Sequence, residues 1–411
     1  VLPDLTDPIV RGQLDRAIEL ADGVTETDPV RRAAKVRALV EAELAGTHLP
    51  GAELATEALA QSELRKRAAD KFGELAVRLF LTPSGLEQAT RHEVADHRAH
   101  RFAAAGVRSV LDLCCGVGAD LLAFHRAGLV VAGVDADPQT AQIAAANLAA
   151  VGCTGSVSCG MAEQTPWATA ESVFLDPARR TDRGRTFDPA GYSPPFGFVA
   201  EVLAAAGHAA AKVAPGLDHA LVPTGVEAEW VSFRGGVKEA VLWGPGFTEV
   251  GVRRRATVLS PTVHSVARQA AGARSSQLTD RDPSTSEVRQ LGAFLYEPDG
   301  AVIRAGLVQQ AATVLSGWRI DEHLAYLSAD AAVATPLAKG YRVAEILPYS
   351  VKRLRAALAR REVGIVEIKK RGVDIDPAAL RRELAPKGSN SCTVLLARVG
   401  DQRLAVIAQP L

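Results

Sequence analysis

Apolar residues recur at helical spacing through most of the first 105 positions, in residues 15–21, 31–45, 52–80 and 84–102. Turn signals at Asp28-Pro29, Pro50-Gly51 and Pro83-Ser84 divide these runs. A helical amino-terminal domain is therefore expected over residues 1–83. From Val107 to Ser260 the pattern changes to short β-branched runs alternating with Ala-rich helices, the mark of βαβ units around a parallel sheet. Strands are predicted at 109–113, 129–134, 155–159, 172–175 and 208–213, with helices starting near Ala119, Pro138, Pro195 and Leu217. An antiparallel hairpin follows, 229–233 and 238–243, turning at Arg234-Gly235-Gly236. Residues 261–290 lack apolar periodicity and read as a linker. Residues 291–339 read as a connecting segment, with a strand at 292–296, a helix from Gly306 and another near 322–328. From 340 to 411 the reading is strand 342–347, helix 351–361, strand 364–369, helix 377–384 opened by Asp376-Pro377, and strands 393–398 and 403–408.

The composition, 47% hydrophobic and 23% charged over 411 residues, describes a globular chain of more than one domain. No apolar run approaches the ~20 residues of a spanning helix; Lys212 interrupts the Ala-rich stretch from Leu203. The start, Val1-Leu2-Pro3-Asp4, has no basic and apolar leader, so a cytoplasmic location is expected. Cysteines 114, 115, 153, 159 and 392 include no C-x-x-C pair and fit neither a disulfide framework nor a metal site. Forty-seven Lys and Arg balance 47 Asp and Glu, but unevenly: residues 340–411 hold 14 of the former against 7 of the latter. The carboxyl end is basic and the rest acidic.

The candidate chemistry lies in the middle of the chain. Val110-Leu-Asp-Leu-Cys-Cys-Gly-Val-Gly-Ala-Asp120 carries a strand into a glycine-bearing turn and a helix, where a backbone free of Cβ atoms approaches a ligand closely. The next predicted strand ends Val134-Asp135, where a carboxylate accepts hydrogen bonds from the ribose hydroxyls of a nucleoside. A helix cap ahead of Pro138 is the plainer reading of Asp135. The fourth strand ends Phe174-Leu-Asp176-Pro177. These three segments resemble motifs I, II and IV of class I S-adenosylmethionine-dependent methyltransferases, over roughly residues 84–260. The third glycine of a nicotinamide-type G-x-G-x-x-G turn is absent.

The resemblance implies an α/β, Rossmann-like seven-stranded methyltransferase sheet and S-adenosylmethionine as cofactor. It assigns Asp112 to the methionine end of the cofactor, the turn Cys114, Gly116 and Gly118 beneath it, Asp135 and Ala136 to the ribose, and either Glu163 or a backbone amide beside it to the adenine end; an exposed loop carboxylate is the plainer reading of Glu163. Cys114 stands where the family's first glycine is usual, and Met161 where an Asp is common. The lead-in from Phe80 resembles that of trimethylguanosine-synthase-like methyltransferases, which implies Thr82 and Gln88 near the methionine end.

Asp176, with Pro177, is the candidate catalytic residue, orienting the acceptor and taking a proton where one must leave; the plainer alternative is a helix or turn cap. Amino-group methyltransferases carry an aromatic two residues after the proline; here that role falls to Tyr192, Phe196 or Phe198, if to any residue. Cysteine-dependent C5 chemistry lacks its nucleophile after the fifth strand. Arg179, Arg180, Arg183 and Arg185 either contact substrate or form a solvated loop. Residues 341–411 resemble a THUMP-like domain, which implies structured RNA, transfer or ribosomal, as partner. Lys352 and Arg353 on a helix, and Lys369, Lys370 and Arg371 at a strand end, are the candidate phosphate contacts. Two other functions remain open: a noncatalytic RNA-binding protein on a degenerate cofactor fold, and a methyltransferase acting on a protein or a small molecule.

Overall fold

The computed structural model describes residues 2–44, 46, 49–181, 184, 185, 191–261 and 274–411. The chain divides into two compact units, one holding residues up to 226 with 241–248, the other 227–240, 249–261 and 274–411. Among the described residues no helix is long and apolar enough to cross a membrane.

The first unit opens with helices α1 (Pro8–Gly23), α2 (Pro29–Glu43), α3 (Gly51–Phe72), α4 (Pro83–Gln88) and α5 (His92–Ala104). Strands β1 (Ser109–Leu113), β2 (Val130–Asp135), β3 (Ser156–Cys159), β4 (Val173–Leu175) and β5 (Ala209–Val213) follow, with α6 (Ala119–Arg126) and α7 (Pro138–Ala150) between them. All four pairings are parallel and give the order β5-β4-β1-β2-β3. The order reverses between β1 and β4, so the crevice at their carboxyl ends is where such a sheet binds its ligand. Every residue of β4 and β5 is buried, as expected for strands covered on both faces.

Asp-Pro opens α1, α2, α7 and the later helix Pro377–Leu384, and each time the aspartate accepts a backbone N–H of the first turn. The helical leader shares its core with the sheet: one apolar cluster runs from Leu14, Ile18 and Leu54 to Phe102, Phe124 and Phe174. Buried Asn147 fixes the junction, accepting from Phe80 N at 2.7 Å and donating to Phe80 O at 3.1 Å and Val117 O at 2.9 Å.

Several expectations require correction. Around Leu217 there is only a three-residue 3₁₀ turn, His219–Leu221, because prolines 215 and 223 leave no room for a longer helix. The expected hairpin strands appear as Glu227–Phe233 and Gly236–Trp243, each longer than predicted at its start. Arg254–Ser260 runs parallel beside Glu227–Phe233. Part of the expected linker forms a further strand, Arg274–Thr279, antiparallel to Arg254–Ser260; residues 262–273 of that stretch lie outside the described residues. The segment near 322–328 is no helix: Leu327–Ala329 is a strand.

A seven-stranded sheet joins Phe294–Pro298, from the connecting segment, to Ala338–Pro348 and the three carboxyl-terminal strands. Its apolar faces are filled by two clusters, one around Leu354, Leu358, Leu380 and Leu384 of the covering helices, the other around Tyr326 and Tyr341.

One buried ion pair binds α5 to α6, Arg98 with Asp120, and the Arg98 guanidinium lies 4.4 Å from the centre of the Phe174 ring. Removing one partner strands the other charge. Arg98→Ala is expected to lower unfolding free energy by about 3–5 kcal/mol, whereas Arg98→Met with Asp120→Leu costs less than either single change. Urea denaturation of Arg98→Ala, Arg98→Met, Asp120→Leu and the double variant checks this.

Candidate active site

A cavity of ≈ 290 Å³ opens at the carboxyl ends of the first unit's strands. Its lining includes Thr82, Gln88, Asp112, Cys114, Gly116, Asp135, Ala136, Glu163, Asp176 and Pro177, ten of the eleven residues expected at the cofactor and catalytic positions. The eleventh, Gly118, is not in the lining: at φ +87° it caps α6, with its Cα facing Ala144.

The turn after β1 hangs from β2. Cys114 N and Cys115 N both donate to Val134 O, at 2.8 and 3.0 Å. Cys114 takes φ +67° and Gly116 φ +57°, so the cysteine keeps the left-handed backbone usual for glycine at a cost of about 1–2 kcal/mol. Burial, then the charges of Asp135, Asp176, Asp112 and Glu163, push the pKa of its thiol far up, which disfavours the thiolate.

Asp135 spans the turn and the next loop, accepting from Gly116 N at 2.9 Å and Asp137 N at 3.0 Å. Asp137, not Asp135, caps α7. Burial raises the Asp135 pKa against the pull of those two donors.

Asp112 is the anomaly. The side chain is 1% exposed, and neither oxygen has a hydrogen-bond partner among the described residues. Burial, followed by the negative charge of Asp176, lifts its pKa well above the usual carboxylate range, against the pull of Arg98 and Lys212. A buried carboxylate left unsatisfied on a cavity wall calls for a cationic, hydrogen-bond-donating ligand group. The ammonium of S-adenosylmethionine is such a group, so the donor set fits this cofactor.

Asp176 does not cap a helix, unlike the other Asp-Pro pairs described above; a short strand, Ala178–Thr181, follows it. Its Oδ2 instead accepts from Lys212 Nζ at 2.6 Å, and its backbone N donates to Leu113 O at 3.1 Å. Lys212 also donates to Thr90 Oγ1 at 3.1 Å, and Thr90 donates to Asp120 Oδ2 at 2.9 Å. The chain of contacts thus runs from Arg98 through Asp120, Thr90 and Lys212 to Asp176. Lys212, Thr90 and Asp120 line the cavity but were not among the expected site residues. The sequence carried one signal: a lysine in the otherwise apolar strand Ala-Ala-Ala-Lys-Val must have a partner.

None of the candidate aromatics lines the cavity. The Tyr192 ring is buried, with its hydroxyl accepting from Ala214 N at 2.8 Å, and Phe198 packs on Trp167. Arg179 and Arg180 belong to the strand Ala178–Thr181, but their side chains, and all of Arg183, lie outside the described residues.

In the second unit, Lys352 and Arg353 are exposed on the helix Val351–Arg360. Lys370 is exposed as well. Lys369 and Arg371 depart from expectation: both turn inward to Glu297, and their cationic groups lie near the rings of Tyr341 and Tyr326. Alternation along Val363–Arg371 puts these two on one face and Lys370 on the other.

The THUMP domain-like family matches residues 338–410. An uncharacterized S-adenosylmethionine-dependent methyltransferase of Mycobacterium tuberculosis, found in strains CDC 1551 and H37Rv, is 37% identical over 350 residues, 83% of this chain and 92% of its own. A solved structure from Porphyromonas gingivalis W83, assigned provisionally as a methyltransferase, superposes with a TM-score of 0.73 over 97% of this chain and 98% of its own. At 18% identity it attests the shared fold.

Because its folded pKa is raised, the folded ligand-free protein holds the Asp112 proton more tightly than the unfolded chain does. Its contribution to stability therefore falls as pH rises from the unfolded value near ~4 toward the folded one. Asp112→Asn removes this slope, so the stability of the variant relative to wild type grows with pH in denaturant titrations. The same change weakens S-adenosylmethionine binding by about 10- to 100-fold in calorimetry.

Proposed function

The chain belongs to the S-adenosylmethionine-dependent methyltransferases, and from that premise we propose that it methylates a base in structured RNA, transfer or ribosomal. Its cofactor is S-adenosylmethionine, which supplies a methyl group on a sulfonium that needs no further activation. In this reading Asp112 holds the cofactor's ammonium, Asp135 its ribose hydroxyls, and Glu163, with the backbone around Ala162, borders the adenine. Cys114 and Gly116 form the floor, while Thr82 and Gln88 border the methionine end. Asp176 faces the acceptor and receives its hydrogen bond.

The observation that carries the RNA part is the THUMP domain-like match at residues 338–410, coinciding with the most basic part of the chain. Cations there meet a phosphate backbone without reading sequence. Lys352, Arg353 and Lys370 are its exposed contacts; Lys369 and Arg371, held by Glu297, stiffen the sheet beneath. The same reading keeps the protein in the cytoplasm, where such RNA is abundant.

Bulk cellular RNA and labelled cofactor provide the assay. Asp176→Ala is expected to abolish transfer while the calorimetric affinity for S-adenosylmethionine stays within about threefold of wild type. Equal loss of both would remove Asp176 from the acceptor side.

Lys352→Ala with Arg353→Ala is expected to weaken RNA binding and to lower the slope of log affinity against log salt by about 1.5–2. Filter binding between low and moderate salt reads this. An unchanged slope would exclude these two cations from the RNA contact.

A further inference from the structure

We infer that Lys212 is a specificity-determining residue of the acceptor site, and that with Asp176 it selects a neutral nitrogen-bearing edge of a nucleobase. The inference rests on the RNA reading above and concerns which atom receives the methyl group.

Lys212 is 6% exposed and lines the cavity beside Asp176. Of its three N–H bonds, two are used among the described residues, toward Asp176 Oδ2 and Thr90 Oγ1. Among the described residues, no donor meets the second oxygen of Asp176, Oδ1. One donor and one acceptor thus stand side by side, their carriers locked at 2.6 Å by the ion pair.

This pairing filters acceptors by hydrogen-bond pattern and by charge. An ammonium or guanidinium offers only donors: it matches Asp176 but is repelled by Lys212. A carboxylate offers only acceptors and meets the opposite conflict. The fitting group is uncharged and has an N–H next to an atom bearing a lone pair, as along the edge of a base. On such an edge one atom accepts from Lys212 while a neighbouring nitrogen, donating to Asp176, attacks the methyl carbon. On a ribose hydroxyl a single oxygen would serve both, and Lys212 would withdraw electron density from the attacking atom.

Charge pairing points the same way. Asp120 is matched by Arg98, Asp176 by Lys212, and Asp112 awaits the cofactor's ammonium. With the cofactor in place, a cationic acceptor finds no unmatched buried carboxylate at this corner. In the transfer, the acceptor nitrogen's lone pair forms the new N–C bond. The C–S bond breaks with its electrons on sulfur, giving a neutral thioether. The surplus proton on nitrogen leaves through Asp176 Oδ1 to solvent.

The test uses the full chain, bulk cellular RNA, methyl-labelled S-adenosylmethionine and mass spectrometry of the digested nucleosides. Label on a base nitrogen is expected. Lys212→Met is expected to lower kcat about 100-fold while S-adenosylhomocysteine affinity stays within about threefold. Lys212→Gln retains an N–H donor without charge and is expected to lose only about tenfold; it keeps the test available if the methionine variant does not fold.

A methyl group on a base carbon or a ribose oxygen, or a Lys212→Met enzyme with kcat within about threefold of wild type, overturns this inference and leaves RNA methylation intact. A protein that binds cofactor but labels no RNA overturns the RNA reading and this inference with it.

Discussion

The first unit is organised around a ladder of charges that is buried at Arg98, Asp120 and Lys212 and reaches the cavity at Asp176. Arg98, Asp120, Thr90, Lys212 and Asp176 form a continuous chain of contacts from the last leader helix, through the first crossover helix, to the ends of β5 and β4. Buried ions are tolerated only when each is paired and further hydrogen-bonded, so every link constrains the next. The ladder is anchored at Arg98, whose guanidinium is held between Asp120 and the face of Phe174. Phe174 belongs to the strand that delivers Asp176, so the same arginine braces the Asp176 corner of the cavity by packing and by charge.

Asp112 lies next to this ladder but outside it. Charge repulsion from Asp176 contributes to its raised pKa, which means that the two carboxylates sense each other. A fold selected for stability alone would have no reason to leave two buried oxygens without donors. The residue that carries them lines the cavity, where a ligand can supply the donors. Cys114 shows the same preference for site geometry over local comfort: its backbone accepts the left-handed turn although its side chain does not favour it.

Strand positions in the sheet were legible because parallel buried strands announce themselves as short apolar runs between helices; Asp135 and Asp176 stood out at the ends of such runs, whereas Asp112, inside β1, was singled out only by the family resemblance. The Asp-Pro dipeptide was ambiguous in sequence. It caps α1, α2 and α7, yet at 176 the aspartate turns to Lys212, a partner 36 residues away. Only the fold separates the two uses. Lys212 was visible as a break in an apolar stretch, but its meaning depends on Thr90, which sequence periodicity does not connect to β5. In the second unit, the inward turn of Lys369 and Arg371 was hidden for a related reason. Glu297 lies on a strand separated from theirs by three others in the sheet order, so the contact requires the sheet to curl, and curvature leaves little trace in a strand's own residues.

The cavity's charge also bears on turnover. Asp112, Asp120, Asp135, Glu163 and Asp176 line it, against Lys212 alone among the described lining residues, with Arg98 behind Asp120. Such a wall favours a ligand of net positive charge over the same ligand after it has lost one. Methyl transfer from a sulfonium removes one positive charge, so the surroundings that hold the donor bind the spent thioether less tightly. In the proposed reading the lining carboxylates would therefore also assist cofactor exchange, while the Lys212–Asp176 ion pair leaves that corner nearly neutral through both states.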